Sequence, residues 1–128
     1  KITIKKIIEM QMKKTGKLFS FCCIAPLIIA NKKEKLIRKF QSIGADIGLL
    51  FQIADDLIDI KGSLKKAGKK TKKDEKKGKA TLISLLGHKN TIIYAEELKL
   101  KIQKKLKIYV YKSNSINQTL EYIIKRSR

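Results

Sequence analysis

Leu36, Phe40, Ile43, Ile47, Leu50, Ala54 and Ile58 recur at steps of four or three residues. That period predicts one amphipathic helix of about six turns, whose apolar stripe can be buried only by elements packed along it. The neighbouring sequence offers further helices for that purpose. Ile4, Ile7, Ile8 and Met12 keep helical spacing from about residue 2 to 14, where Lys14-Thr15-Gly16 ends or kinks the run. A second helix is expected from about Lys17 to Ala30, bent or interrupted near Pro26, and Asn31 suits the cap of the long helix. Helical pattern resumes over about 78–86 and stops at Gly87. Ala95, Leu98, Ile102, Leu106 and Tyr109 mark another long helix, and Leu120, Ile123 and Ile124 a short terminal one. One proline and seven glycines in 128 residues favour helices over a turn-rich β fold. The chain reads as all-α and as one domain.

The long helix interrupts its own apolar pattern with Asp55, Asp56 and Asp59, three of only 11 acidic residues in the chain. Asp55 and Asp59, four residues apart, share a helix face about one turn from each other. Two carboxylates held that close stay ionised comfortably only with a cation between them. Oxygen ligands without histidine or cysteine suit a hard ion such as Mg²⁺, which usually completes its shell with water and substrate phosphates. Asp56 projects about 100° away from Asp55 and is expected to act through water or a lysine. Phosphate-binding cations are at hand in Lys14, Lys69 and Lys79. Gly44 and Gly48 allow a neighbouring helix to approach closely, while Asp46 between them excludes a membrane-dimer motif.

Lys14-Thr15-Gly16, then Gly44-x-x-x-Gly48-x-x-Phe51-Gln52-x-x-Asp55-Asp56-x-x-Asp59, then Gly68-Lys69 and Asp74-x-x-x-Gly78-Lys79-x-Thr81-Leu82 follow one another in order. This ordered set resembles the C-terminal half of a trans-isoprenyl diphosphate synthase, the farnesyl and geranylgeranyl diphosphate synthase family. The basic ending Lys125-Arg126-Ser127-Arg128 is similar to the tail of bacterial members. The resemblance implies residues 1–128 as the C-terminal part of a polyprenyl synthetase domain, in a helical bundle around a central cleft. It implies prenyl transfer in isoprenoid biosynthesis, condensing an allylic diphosphate with isopentenyl diphosphate. Asp55, Asp56 and Asp59 would serve Mg²⁺, and Lys14, Lys69 and Lys79 would steady the diphosphate. Thr15 and Gln52 would line the cleft. Lys72 departs from the glycine many relatives carry at that place.

Members of that family carry two aspartate-rich motifs, and these 128 residues contain one. The expectation is therefore a chain inactive alone, lacking an N-terminal half and homodimeric when complete. Product length, normally set beside the first motif, is not encoded here. Ile47, Leu50, Ile58 and the 21–30 helix are expected to expose apolar surface for want of neighbours.

The net charge of +20 invites nucleic acid or another polyanion as partner. Only Arg38, Arg126 and Arg128 are arginines, and lysine is the weaker residue for reading bases or forking phosphates. Four scattered tyrosines make no stacking platform. Nucleic acid is accordingly not expected, although a basic helical polyanion-binding protein, or a catalytically silent partner subunit, is the alternative reading. The segment 61–79 holds ten lysines and three glycines in nineteen residues and reads as a flexible loop. Adjacent Cys22 and Cys23 exclude a disulfide framework and suit a reducing compartment, so the expected location is cytoplasmic. The longest apolar run, 21–30, is ten residues with Pro26 inside, against about 20 needed to span a bilayer. His88 has no partner at metal-ligand spacing and reads as a surface residue.

Overall fold

A computed structural model of the chain describes residues 3–67, 81–112 and 114–127. Among the described residues every regular element is helical: α1 (Ile4–Gln11), a π-helical turn (Met12–Gly16), α2 (Lys17–Ile29), α3 (Glu34–Ala67), α4 (Leu82–Leu86), α5 (His88–Leu106), a 3-10 helix (Lys107–Lys112) and α6 (Asn114–Ser127). Thr3 starts α1 in extended conformation, its hydroxyl accepting from the Lys6 amide at 3.3 Å.

The first run does not end at Gly16. It passes through the π turn straight into α2, so the Lys14-Thr15-Gly16 kink is a local widening of a continuing helix. Pro26 does not break α2 either. Pro26 and Cys22, whose carbonyl the ring deprives of a helical partner, are both exposed, where water can serve that carbonyl. Asn31 corrects the expected cap: its φ of 49° is left-handed, and its amide donates back to the Ile28 carbonyl, so it terminates α2.

At 34 residues, α3 is about 51 Å long and is the axis of the molecule, with α1, α2, α4, α5 and α6 all packed on it. The predicted stripe holds at Ile43, Ile47, Leu50 and Ala54, all buried, whereas Leu36, Phe40 and Ile58 are half-buried. Leu49, Ile53 and Leu57 are buried as well, because α3 has neighbours on more than one side. Ala95, Leu98, Ile102 and Leu106 of α5 and Leu120, Ile123 and Ile124 of α6 complete that core. Asp46 fastens α3 to α5 through Lys101 at 3.2 Å and Lys105 at 2.7 Å.

The segment 61–79 opens differently from its expected loop, since α3 continues to Ala67. Lysine, leucine and alanine are good helix formers, and a helix satisfies its backbone internally without burial. The remainder, 68–79, lies outside the described residues. Ile47 and Leu50 are covered, against expectation, while the outer face of α2 does expose Leu18, Phe21, Ile28 and Ile29. No described helix is long and apolar enough to cross a membrane.

Gly87 joins α4 to α5 with φ 77° and ψ 164°, a conformation that strains any residue with a Cβ. Thr81 begins α4 with a reciprocal cap, its hydroxyl and that of Ser84 each accepting from the other's amide at 3.2 Å. His88 is exposed at the start of α5.

Candidate active site

α3 is pressed at two glycines against the continuous helix beside it, Gly44 against α2 and Gly48 against the π turn. A Cβ on Gly44 would stand 2.6 Å from the Phe19 carbonyl oxygen, and one on Gly48 would stand 2.8 Å from the Gly16 Cα. Only bare backbone permits that approach. One turn further along α3 the same proximity brings polar side chains together instead. Thr15 Oγ1 donates to Gln52 Oε1 at 3.1 Å, and Gln52 Nε2 donates to Asp56 Oδ1 at 3.3 Å. Gln11 Nε2 donates to Asp56 Oδ2 at 3.4 Å. Gln11 and Thr15 are four apart on one segment, Gln52 and Asp56 four apart on the other, so two helical i,i+4 pairs interlock. Gln52 and Gln11 are buried, while Thr15 and Asp56 are half-buried.

Asp56 accepts from two glutamines, Gln11 and Gln52. Burial raises its carboxyl above the usual carboxylate range; the Gln52 hydrogen bond pulls it back, Asp59 pushes it up again, and Lys14 and Asp55 act with opposite signs. Lys14 is exposed and acts on Asp56 through its charge. Asp55 is half-buried and turned to α6, where Arg126 Nη2 lies 2.5 Å from its Oδ1. Asp59 is exposed.

The structure therefore unites Lys14, Thr15, Gln52 and Asp56 around one contact, with Asp55 and Asp59 on the solvent side of the same helix. Lys69 and Lys79 lie outside the described residues. Among the described residues no group of three His, Cys, Asp or Glu side chains converges closely enough to cage a metal ion. The donor set still fits Mg²⁺: Asp55 and Asp59 offer hard oxygens, accessible to solvent and one helical turn apart, and Mg²⁺ is held by few carboxylates plus water and phosphate. Burial, and then Cys22, push the Cys23 thiol up, away from the reactive thiolate.

Sequence reasoning passed over two residues, Gln11 and the pairing role of Arg126. Gln11 carried a usable signal, standing one turn before Thr15 on the same helix face. Arg126 carried none, because only the tertiary placement of α6 brings it to Asp55.

The polyprenyl synthetase family profile matches residues 1–123. The chain is 38% identical over 85 residues to a farnesyl diphosphate synthase of Bacillus subtilis (strain 168), covering 66% of this chain and 29% of that one. It is 28% identical over 127 residues to a farnesyl diphosphate synthase of Micrococcus luteus, covering 99% of this chain and 44% of the relative. A geranylgeranyl diphosphate synthase of Cyanophora paradoxa is 30% identical over 125 residues, 98% of this chain and 42% of its own. The chain thus spans less than half the length of these relatives. The crystal structure of a geranyltransferase from Helicobacter pylori 26695 superposes with a TM-score of 0.71 at 23% identity, over 99% of this chain and 40% of that one. The shared fold is the all-α isoprenoid synthase type.

Proposed function

The chain belongs to the polyprenyl synthetase family, and on that premise we propose that it supplies one side of an active site for Mg²⁺-dependent head-to-tail condensation. The substrates are an allylic diphosphate and isopentenyl diphosphate. The observation that carries this reading is the hydrogen-bonded chain Thr15–Gln52–Asp56–Gln11, which ties the Lys14 turn to the aspartates of α3. A merely solvated acidic corner would not be braced by two glutamines, both buried.

In this reading Asp55 and Asp59 would hold Mg²⁺, which would supply positive charge to a departing diphosphate. Lys14, Lys69 and Lys79 add positive charge around that leaving group. Thr15, fixed by its bond to Gln52, presents the wall of the cleft beside Lys14. Asp56 orients Gln52, one residue from Asp55, which would hold the ion with Asp59. Because these residues carry one aspartate motif, the 128-residue chain alone is expected to turn over no substrate, and the complete protein is expected to be a cytoplasmic homodimer.

The test is incorporation of labelled isopentenyl diphosphate by the full-length protein. Asp55→Ala should lower turnover by about a hundredfold or more, the scale of removing a principal electrostatic stabiliser. Turnover unchanged by Asp55→Ala would refute the metal-centred reading.

A further inference from the structure

Asp55 already has a counter-ion, and it comes from the other end of the chain. Arg126, in the last turn of α6, places Nη2 2.5 Å from Asp55 Oδ1. The same guanidinium lies 5.0 Å from the centre of the Phe51 ring. Phe51 and Asp55 are four apart on α3, so one helix face offers the guanidinium a ring and a carboxylate together. Neither partner is sealed in: the Arg126 side chain is 34% exposed and that of Asp55 40%. A pair of that kind is weak enough to exchange.

We propose that Arg126 is a displaceable counter-ion of Asp55, competing with the divalent cation for that carboxylate. The inference rests on the reading of Asp55 as a metal ligand given above. A carboxylate shared by a guanidinium and a divalent ion would bring two positive centres within a few ångströms, and their repulsion makes the two occupancies alternatives. With Arg126 in place, Asp55 is neutralised and its rotamer fixed without metal. When the ion arrives, the guanidinium leaves, and the last turn of α6 loses its ion pair to α3 while the buried Ile123 and Ile124 stay in the core. The end of α6 is thereby a reporter of metal occupancy.

Mn²⁺ serves as the probe, titrated into the full-length protein and followed by electron paramagnetic resonance of the free ion. Arg126→Gln, a change on an exposed turn, should bind Mn²⁺ about fivefold more tightly than the wild type, the equivalent of removing a half-exposed competitor. Hydrogen exchange of amides 122–127 should accelerate with Mn²⁺ in the wild type and be insensitive to it in Arg126→Gln. Equal or weaker Mn²⁺ affinity in Arg126→Gln, or exchange in the wild type that ignores Mn²⁺, overturns the proposal. Asp55→Asn separates the two readings. If Mn²⁺ binding to the wild type does not depend on Asp55, the metal assignment itself fails. If it does depend on Asp55 while Arg126→Gln behaves as wild type, only the counter-ion inference fails.

Discussion

The two glycines of α3 and the polar residues one turn beyond them face the same neighbouring segment and use it in opposite ways. At Gly44 and Gly48 side chains are absent and backbone meets backbone. At Gln52 and Asp56 side chains fill the gap and join the two segments through hydrogen bonds. The first region fixes where the π turn lies, and the second is arranged around that position. Closeness at one place is what makes a polar network reachable at the next, so the packing contact supports the polar one although it makes no side-chain hydrogen bond.

Three substitutions sharpen that contrast, in descending order of effect. Gly44→Ala should be the most damaging, because its Cβ would meet the backbone at Phe19 and Ser20, which cannot give way as a flexible side chain would. Overpacking of this kind destabilises by about 3 kcal/mol, and the gain in helix propensity of about 1 kcal/mol does not offset it. Urea unfolding measures the difference, and a midpoint equal to wild type would show that the helices can part without loss. Gln52→Leu should lower stability by about 1–2 kcal/mol, since Thr15 and Asp56 both lose a partner in a half-buried place. A double-mutant cycle with Thr15→Val tests it; strict additivity would mean the two side chains do not act together.

The smallest effect is expected at Asp56. Its carboxyl is raised in the folded state by burial first, so folding opposes ionisation there. The sign follows directly: stability falls as pH rises from the ordinary carboxylate value through the raised one, and the penalty is constant above it. In the absence of metal, Asp56→Asn should therefore be slightly more stable than wild type at neutral pH, with the gap closing as both proteins are acidified. Thermal unfolding across that range reads it directly, and a gap that widens toward acid would contradict the assigned cause.

The helices were legible because their apolar residues repeat with the helical period, and Ile43, Ile47, Leu50 and Ala54 lie buried as that period requires. The aspartates stood out because they break it. What could not be read was of two kinds. Continuation of α3 to Ala67 has no apolar signature, since helical hydrogen bonds need none. Asn31 offered two helix-terminal uses with similar composition, and only its backbone torsion decides between them. Gln52 is local to Asp56, but the partner of Asp55 comes from α6 and the second partner of Asp56 from α1, at separations of 71 and 45 residues, and only tertiary placement brings either to its carboxylate. The cover over Ile47 and Leu50 was likewise a matter of tertiary neighbours.

The inward residues along the first continuous helix are Ile7, Gln11, Gly16 and Ser20, at steps of four, five and four. The step of five coincides with the π turn, which accommodates one residue more than a regular helix would. That extra residue lets Thr15 and Gly16 both look toward α3, one to bond Gln52 and the other to admit Gly48. Shortening the segment by one residue would restore steps of four and an ordinary helix, leaving Ile7 and Ser20 on the inner side. Such a deletion is expected to spare the scaffold and to lose the polar contact. For this chain the polar contact is thus set partly by length, one residue more or less in a single turn.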